Sequence, residues 1–463
     1  MVAPTMMMAI IALLGAEGCA SVQPRAGFDD ATELVARRAP YTLQWDTGSP
    51  DDSLVDRRLR VMLRGEIGVD TAVQVALLRN AGLQATFEDI GIAQADLVQA
   101  GLLRNPVFNA AWLFGPAPGV QTAGLLFPFM DLLQRPLRRR VAAEHADAVT
   151  GQVADAVLRL AGDVRVAFAD ATSAREMLRL RESTERAARA SAITAGAMRD
   201  AGNVSDLALA SERALAAQAR IDLREARANA VVARERLVRL MGLPAADTAW
   251  TLPDRLLLPV DDALPLDRFE TLAIANRLDL AAAFKAAESA ARAAGLIRAF
   301  SLLPEGQIGV QADRDPDGNF IGPAVSFPLP LFDQGDAAIG ASQARYRQAL
   351  RRHEALRTEI LADVRALRET LIASRERALH LRDDVLPLRH LVLVESQKHF
   401  NAMDISIFTL LMAKQGEIDA GVASVQATKE YWIARAQLER AIGGSFAPRA
   451  AASPAPTEAR KTP

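Results

Sequence analysis

Five histidines, His145, His353, His380, His390 and His399, are the side chains best able to shuttle protons or hold a metal near neutral pH. None stands in a His-x-x-x-His or Glu-x-x-His pair of metal-binding or catalytic spacing. His390 and His399 lie nine positions apart, too far along one helix to share an ion, so each reads as a surface or helix-interface residue. The only cysteine, Cys19, rules out an intramolecular disulfide and a thiolate cluster. No Gly-x-x-x-x-Gly-Lys phosphate loop and no Gly-x-Ser-x-Gly elbow occurs. Arg138-Arg139-Arg140 could meet anionic headgroups and otherwise reads as a solvated helix face. The eleven methionines fall mostly singly at helical apolar spacing, which points to core packing and not to a thioether metal site. These residue types outline no catalytic centre, cofactor site or metal site, and the chain is not expected to be an enzyme.

The elements that carry these residues are more informative. The 463 residues carry a formal net charge of -2 and are 50% hydrophobic. The near-neutral charge argues against nucleic acid as a partner. No apolar run reaches the roughly 18 residues of a membrane-spanning helix. Met6 to Gly15 is a short apolar run ending in Ala16-Glu17-Gly18-Cys19-Ala20-Ser21, a secretory signal pattern. Gly18-Cys19-Ala20-Ser21 resembles a lipoprotein cleavage site, so residues 1–18 are expected to leave and Cys19 to be lipidated.

The chain also repeats itself about 200 residues on. Leu126-Phe127-Pro128-Phe129-Met130-Asp131 returns as Ser326-Phe327-Pro328-Leu329-Pro330-Leu331-Phe332-Asp333, and Ala201-Gly202-Asn203-Val204-Ser205 returns as Ala402-Met403-Asp404-Ile405-Ser406. Ordered landmarks of this kind signal a duplicated architecture. After an extended N-terminal segment over 19–66, with one short helix near 29–38, the first repeat spans 67–242. Helical periodicity runs from Val69 to Leu103 and stops at Asn105-Pro106. A β-hairpin over 107–127 follows, turning at Gly115-Pro116-Ala117-Pro118-Gly119. Pro136 is expected to open a long helix, broken at a tip over 201–206 and returning to Met241. A Pro-rich connector covers 243–266. The second repeat, 267–442, has a helix over 267–302, a hairpin over 307–327, a long helix from Gly335 to Phe400, a tip over 401–407 and a return helix. Residues 443–463 read as a disordered tail.

Each repeat thus holds a rod of roughly 65 residues, nearly 100 Å at about 1.5 Å per residue, with two shorter helices that together match it. Two hairpins make too small a sheet to stand alone, and an open sheet edge is not tolerated in lipid. Three copies would close a barrel of twelve strands. Phe108, Trp112 and Phe114, with Val325 and Phe327, would face the lipid. Gln307, Gln311 and Asp313 would face water.

Taken with Leu102-Leu103-Arg104-Asn105-Pro106, Phe327-Pro328-Leu329-Pro330-Leu331-Phe332-Asp333, Gly-Asn-Val-Ser-Asp-Leu at 202–207 and Met-Asp-Ile-Ser-Ile-Phe at 403–408, residues 67–442 resemble the TolC family of outer-membrane efflux proteins. The resemblance implies a mainly α fold with a small membrane β-barrel, a homotrimer, and a periplasmic α-barrel tunnel of coiled-coil-like helices. It implies a passive exit duct in the cell outer membrane, partnered by a periplasmic adaptor (membrane fusion) protein and an inner-membrane pump. The adaptor would dock at Gly202, Asn203, Val204 and Ser205 and at Met403, Asp404, Ile405 and Ser406. Met403 replaces a usual glycine, so the second tip is expected to differ in shape. Some members of the family narrow the tunnel with aspartates; Thr409 and Met412 stand there instead, a constriction without acid. Three readings follow: the duct of a tripartite efflux pump for small molecules or metal ions, the duct of a type I protein secretion system, or a structural periplasmic helical lipoprotein.

Overall fold

The computed structural model describes residues 23, 25–48, 52–114, 120–244, 250–257, 259, 268–302, 305–315 and 317–445. Cys19, the signal segment, most of the connector and the C-terminal tail lie outside them. In chain order the elements are α1 (Phe28–Ala36), α2 (Asp52–Met62), β1 (Gly65–Glu66), α3 (Val69–Arg79), α4 (Ala81–Gly101), β2 (Val107–Leu113), β3 (Val120–Phe127), α5 (Met130–Asp200), α6 (Asp206–Met241), β4 (Trp250–Thr251), α7 (Phe269–Asn276), α8 (Leu278–Ala299), β5 (Gln307–Asp315), β6 (Gly318–Ser326), α9 (Asp336–His380), a π-helical turn (Leu381–Val385), α10 (Leu386–Asn401) and α11 (Ile407–Ala441). The protein is mainly helical. Among the described residues no helix is long and apolar enough to cross a membrane. The chain forms two compact units.

The first unit comprises residues 1–33, 86–154 and 278–356. Its sheet has the order β2-β3-β5-β6, every pair antiparallel. The two hairpins, separate in sequence, join where β3 meets β5 from Gln121↔Arg314 to Phe127↔Ile308. That pairing satisfies backbone groups each hairpin would otherwise leave open. The helices beneath are tied by charge and by small residues. Glu144 takes ion pairs from Lys285 at 3.1 Å and Arg292 at 2.8 Å, and Gly151 lies against Ala282. Phe28 and Phe87 meet edge to face, with ring centroids 5.1 Å apart. Pro136 does not open α5. The helix starts at Met130, two residues after Pro128, and carries Pro136 in its second turn, where the missing N–H costs a single ladder bond.

The second unit comprises residues 34–85, 155–277 and 357–463. Its helices approach closely because alanine lines their contacts: Ala188, Ala216 and Ala219 form one buried cluster. The large core residues include Leu77, Leu237, Met241, Trp250, Phe269, Tyr431 and Leu438. Arg165 clamps the N-terminal segment to this core, donating to Glu439 Oε2 and to Tyr41 Oη, each at 2.7 Å. Two features were not anticipated from sequence: the helix α2, and the parallel pair β1-β4.

The expected single helices over 69–103 and 267–302 are each broken, at Asn80 and Arg277, where the backbone turns extended. At the first break Asn80 caps α4 with its own side chain, Oδ1 accepting from the Leu83 N–H at 3.0 Å, and both breaks also have a tertiary cause. Gly242 (φ +65°) ends α6 with its Cα against Arg79 and Asn80, so that an added Cβ would lie 2.6 Å from the Arg79 carbonyl oxygen. Gly443 (φ +76°) meets Asn276 and Arg277 in the same way, at 2.9 Å. Each return helix therefore seats its glycine cap on the break of its own repeat. The second long helix is also interrupted, by the π turn before α10. Pro387 has no N–H to offer the ladder and its ring crowds the preceding turn, and the wider π turn relieves both.

Candidate functional site: sheet and tips

The register sorts the sheet into two chemically distinct faces. Cross-strand partners share a face, so Phe108, Leu125, Val310 and Pro323 align in one row, and Ala110, Ala123, Ala312 and Ile321 in the next. Phe127, Ile308 and Val325 extend the same face toward the helices, and Trp112 stands on it near the hairpin turn. Phe108, Trp112, Val310, Ile321 and Val325 are all exposed, as are Phe114 and Phe327 beyond the strand ends. The opposite face carries Asn109, Gly124, Gln311 and Gly322 in one row and Ala111, Thr122, Asp313 and Phe320 in another. Gln311 donates to Asp313 there at 3.1 Å. One face is apolar and unfilled except at its turn-end row, where Gln121, Arg314 and Asn319 stand level with Trp112; the other is mostly small or polar. The sheet has two open edges, β2 and β6. Pro323 lies in β6, an edge strand, where a residue without an N–H is tolerated.

Asp131, at the start of α5, holds the joint between sheet and helices. It is fully buried. It accepts from the Arg104 backbone N–H at 3.1 Å and from Arg104 Nη2 at 2.9 Å, and Arg138 Nη1 stands 3.5 Å away. Burial pushes its carboxyl up, but the Arg104 hydrogen bonds and the Arg138 charge outweigh it and hold the group below the usual carboxylate range. The equivalent Asp333 is exposed and accepts from the Gly335 N–H at 2.8 Å. The repeated motif was visible in sequence; the different partners of its two aspartates were not.

The tips are built alike. At the first, Gly202 N–H donates to Arg199 C=O at 2.9 Å and Asn203 N–H to Met198 C=O at 2.8 Å, with Gly202 at φ +79°. Ser205 then caps α6, accepting from the Ala208 N–H at 3.2 Å. At the second, Met403 N–H donates to Phe400 C=O and Asp404 N–H to His399 C=O, each at 2.9 Å, and Ser406 caps α11 through the Thr409 N–H at 3.3 Å. Met403 sits at φ +63° and is 93% exposed. The expectation that Met403 would reshape this tip is therefore corrected. The same closing bonds form, and methionine is held in a left-handed conformation that glycine adopts without strain. Val204 and Ile405 are half-buried at matching positions, while Asn203, Ser205, Asp404 and Ser406 are exposed.

Met403→Gly is expected to stabilise the protein by about 0.5–1 kcal/mol, the relief of the left-handed penalty less the added freedom of the unfolded chain. Gly202→Ala should lose about 1 kcal/mol. Thermal unfolding of the two variants checks this, and a Met403→Gly variant no more stable than the parent would rule out strain at that turn.

Thr409 and Met412 lie in the first turns of α11. The Thr409 hydroxyl is 3.2 Å from Ser406 Oγ and so belongs to the cap, whereas Met412 is 76% exposed. Three histidines each meet a carboxylate. His390 Nδ1 lies 2.7 Å from Glu417, linking α10 to α11; His380 is 2.7 Å from Asp384, and His399 is 3.2 Å from Asp404. Among the described residues no three His, Cys, Asp or Glu side chains gather closely enough to hold a metal.

No family model matches the chain. In sequence it is similar to the cobalt-zinc-cadmium resistance protein CzcC of Cupriavidus metallidurans, 25% identical over 351 residues that cover 74% of this chain and 80% of that protein. In structure it is similar to a membrane protein from Pseudomonas aeruginosa (TM-score 0.71, 19% identity, 81% of this chain and 92% of that one). It is likewise similar to the CmeC outer membrane channel of Campylobacter jejuni (TM-score 0.70, 15% identity, 82% of this chain and 86% of that one).

Proposed function

From a chain with the fold of the TolC-family outer-membrane efflux channels, we infer that this protein is the outer-membrane exit duct of a tripartite efflux pump, a passive conduit and not an enzyme. The observation that carries the reading is the sheet: one exposed apolar face, one mostly small or polar face, and two open edges. Such edges are not tolerated in lipid. Three copies, pairing β6 of one with β2 of the next, close twelve strands with no edge left, an even number in the range of outer-membrane barrels. Phe108, Trp112, Phe114, Val325 and Phe327 then face lipid, and Gln311 and Asp313 face the lumen. Lipidation of Cys19, as its Gly-Cys-Ala-Ser setting suggests, adds a lipid anchor to the chain.

The tips at 202–205 and 403–406 dock on a periplasmic adaptor that joins an inner-membrane pump. Their matching backbone and exposed polar side chains support this role. Met412 narrows the tunnel just past the second tip, an apolar constriction that divalent cations should not block; strong block of conductance by such ions would count against it. The duct leaves cargo choice to the pump. Its similarity to a protein named for cobalt, zinc and cadmium resistance supports metal ions as the cargo.

A strain lacking this protein is expected to become sensitive to cobalt, zinc or cadmium, with growth restored by the wild-type copy. Sensitivity to lipophilic drugs or detergents alone would assign the duct to drug efflux, and no change under either stress would remove the efflux reading.

A further inference from the structure

The outer face of α5 changes character as it leaves the sheet. Leu132 and Leu133 begin it, 53% and 57% exposed, and Arg135, Arg139 and Arg140 follow, all exposed. Among the described residues none of these three guanidiniums has a hydrogen bond or an ion pair, whereas Arg138 between them turns inward to Asp131. Arg135 and Arg139 stand four apart, a like-charge spacing that destabilises a helix. The neighbouring carboxylates are engaged: Asp131 is buried against Arg104, and Glu144 takes Lys285 and Arg292. Side chains on a helix lean toward its N-terminus, which for α5 is the end that meets the sheet. Leu132 to Arg140 spans about 12 Å at about 1.5 Å per residue. A headgroup layer is about 5–8 Å deep, and the long arginine stem reaches across the difference. The second repeat shows the same order, with Leu329, Leu331 and Phe332 exposed before Arg345 and Arg347, but there Asp333 and Asp336 stand exposed in between. Only the α5 face is basic without an intervening acid.

We propose that this face of α5 binds the phosphate of an anionic phospholipid in the periplasmic leaflet of the outer membrane. Leu132 and Leu133 meet the upper acyl chains, and Arg135, Arg139 and Arg140 donate to phosphate oxygens. Guanidinium forks match phosphate geometry, and apolar contact beside a basic cluster is the make-up of an interfacial anchor. A bound phosphate also relieves the repulsion between Arg135 and Arg139. The inference rests on the duct reading, which puts the sheet in the membrane, and adds to it the class of lipid that surrounds the joint.

The test is electron spin resonance of the purified full chain in phosphatidylcholine vesicles, doped in turn with spin-labelled phosphatidylglycerol and spin-labelled phosphatidylcholine. The spectra count the lipid that the protein immobilises. Phosphatidylglycerol should be held at least about threefold more strongly than phosphatidylcholine at low ionic strength. The triple variant Arg135→Gln, Arg139→Gln, Arg140→Gln should bring that ratio close to one. Arg57→Gln, Arg58→Gln, Arg60→Gln removes the same charge from exposed positions of α2 and should leave the ratio unchanged. Melting temperatures near that of the parent show that both variants fold. If neither lipid is immobilised, the chain does not insert, and the duct reading falls together with the proposal. Three outcomes overturn the proposal alone. They are equal immobilisation of the two lipids, as a neighbouring copy covering this face would give; a preference that survives the α5 variant; and a preference cancelled by millimolar inorganic phosphate at fixed ionic strength.

Discussion

Val310→Arg is expected to abolish the assembled channel, while Gln311→Arg, one residue along the same strand, leaves it intact. Val310 stands in the apolar row with Phe108, Leu125 and Pro323, near the middle of β5. An arginine on the lipid face at mid-depth costs about 2–4 kcal/mol, and three copies incur it together. Gln311 points to the opposite face, between Gly124 and Gly322, where small neighbours leave room and water solvates the charge. The measurement is the yield of detergent-resistant trimer from the outer membrane. Gln311→Arg should keep that yield and shift single-channel ion selectivity toward anions. Equal yields from the two variants would mean that the register does not separate lipid from lumen, and the barrel reading would fall.

Asp131→Ala should be the most damaging change outside the sheet. It removes a fully buried acceptor and leaves Arg104 and Arg138 without their shared counter-charge. Breaking a buried pair from one side costs about 3–5 kcal/mol. Arg104 is half exposed and regains water, so about 2–3 kcal/mol is expected here. The effect has a pH signature. The carboxyl titrates lower in the folded than in the unfolded protein. Its contribution is therefore complete above the unfolded value, near 4, and is lost as pH falls through the folded value. Thermal unfolding of parent and Asp131→Asn should show a gap that is constant near neutrality and closes in acid. A gap that does not change with pH would assign the cost to packing alone.

Much of the architecture was legible in the chain because its signals are local. Alternation over 307–313, the turn residues Asp315 and Gly318, and the glycine and serine that flank the first tip each act within a few positions; the turn expected at Gly115-Pro116-Ala117-Pro118-Gly119 lies outside the described residues. What escaped is non-local. Asn80 does carry a local signal, since its side chain caps α4 by accepting from the Leu83 N–H at 3.0 Å, but Arg277 does not break a helix by its own propensity. The break comes from a glycine about 160 residues further on whose backbone presses against it. Nothing in either hairpin names its partner, so the β3-β5 seam followed only once both were folded. Glu212 reads as an ordinary surface residue of an Arg- and Glu-rich helix; its burial depends on a second tip that arrives two hundred residues later. The closing bonds at Met403 show the opposite limit: a residue that breaks the local rule while the turn holds.

Both tips are closed by main-chain hydrogen bonds and a single serine cap, so their outline is indifferent to most of the letters written on it. A surface of that kind can be re-lettered by drift without passing through an unfolded intermediate, one exposed residue at a time. Descendants of one duplicated ancestor could then acquire new docking partners while the turn beneath them stayed fixed. The methionine at the second tip, where the first tip has a glycine, shows how much such a turn can accommodate.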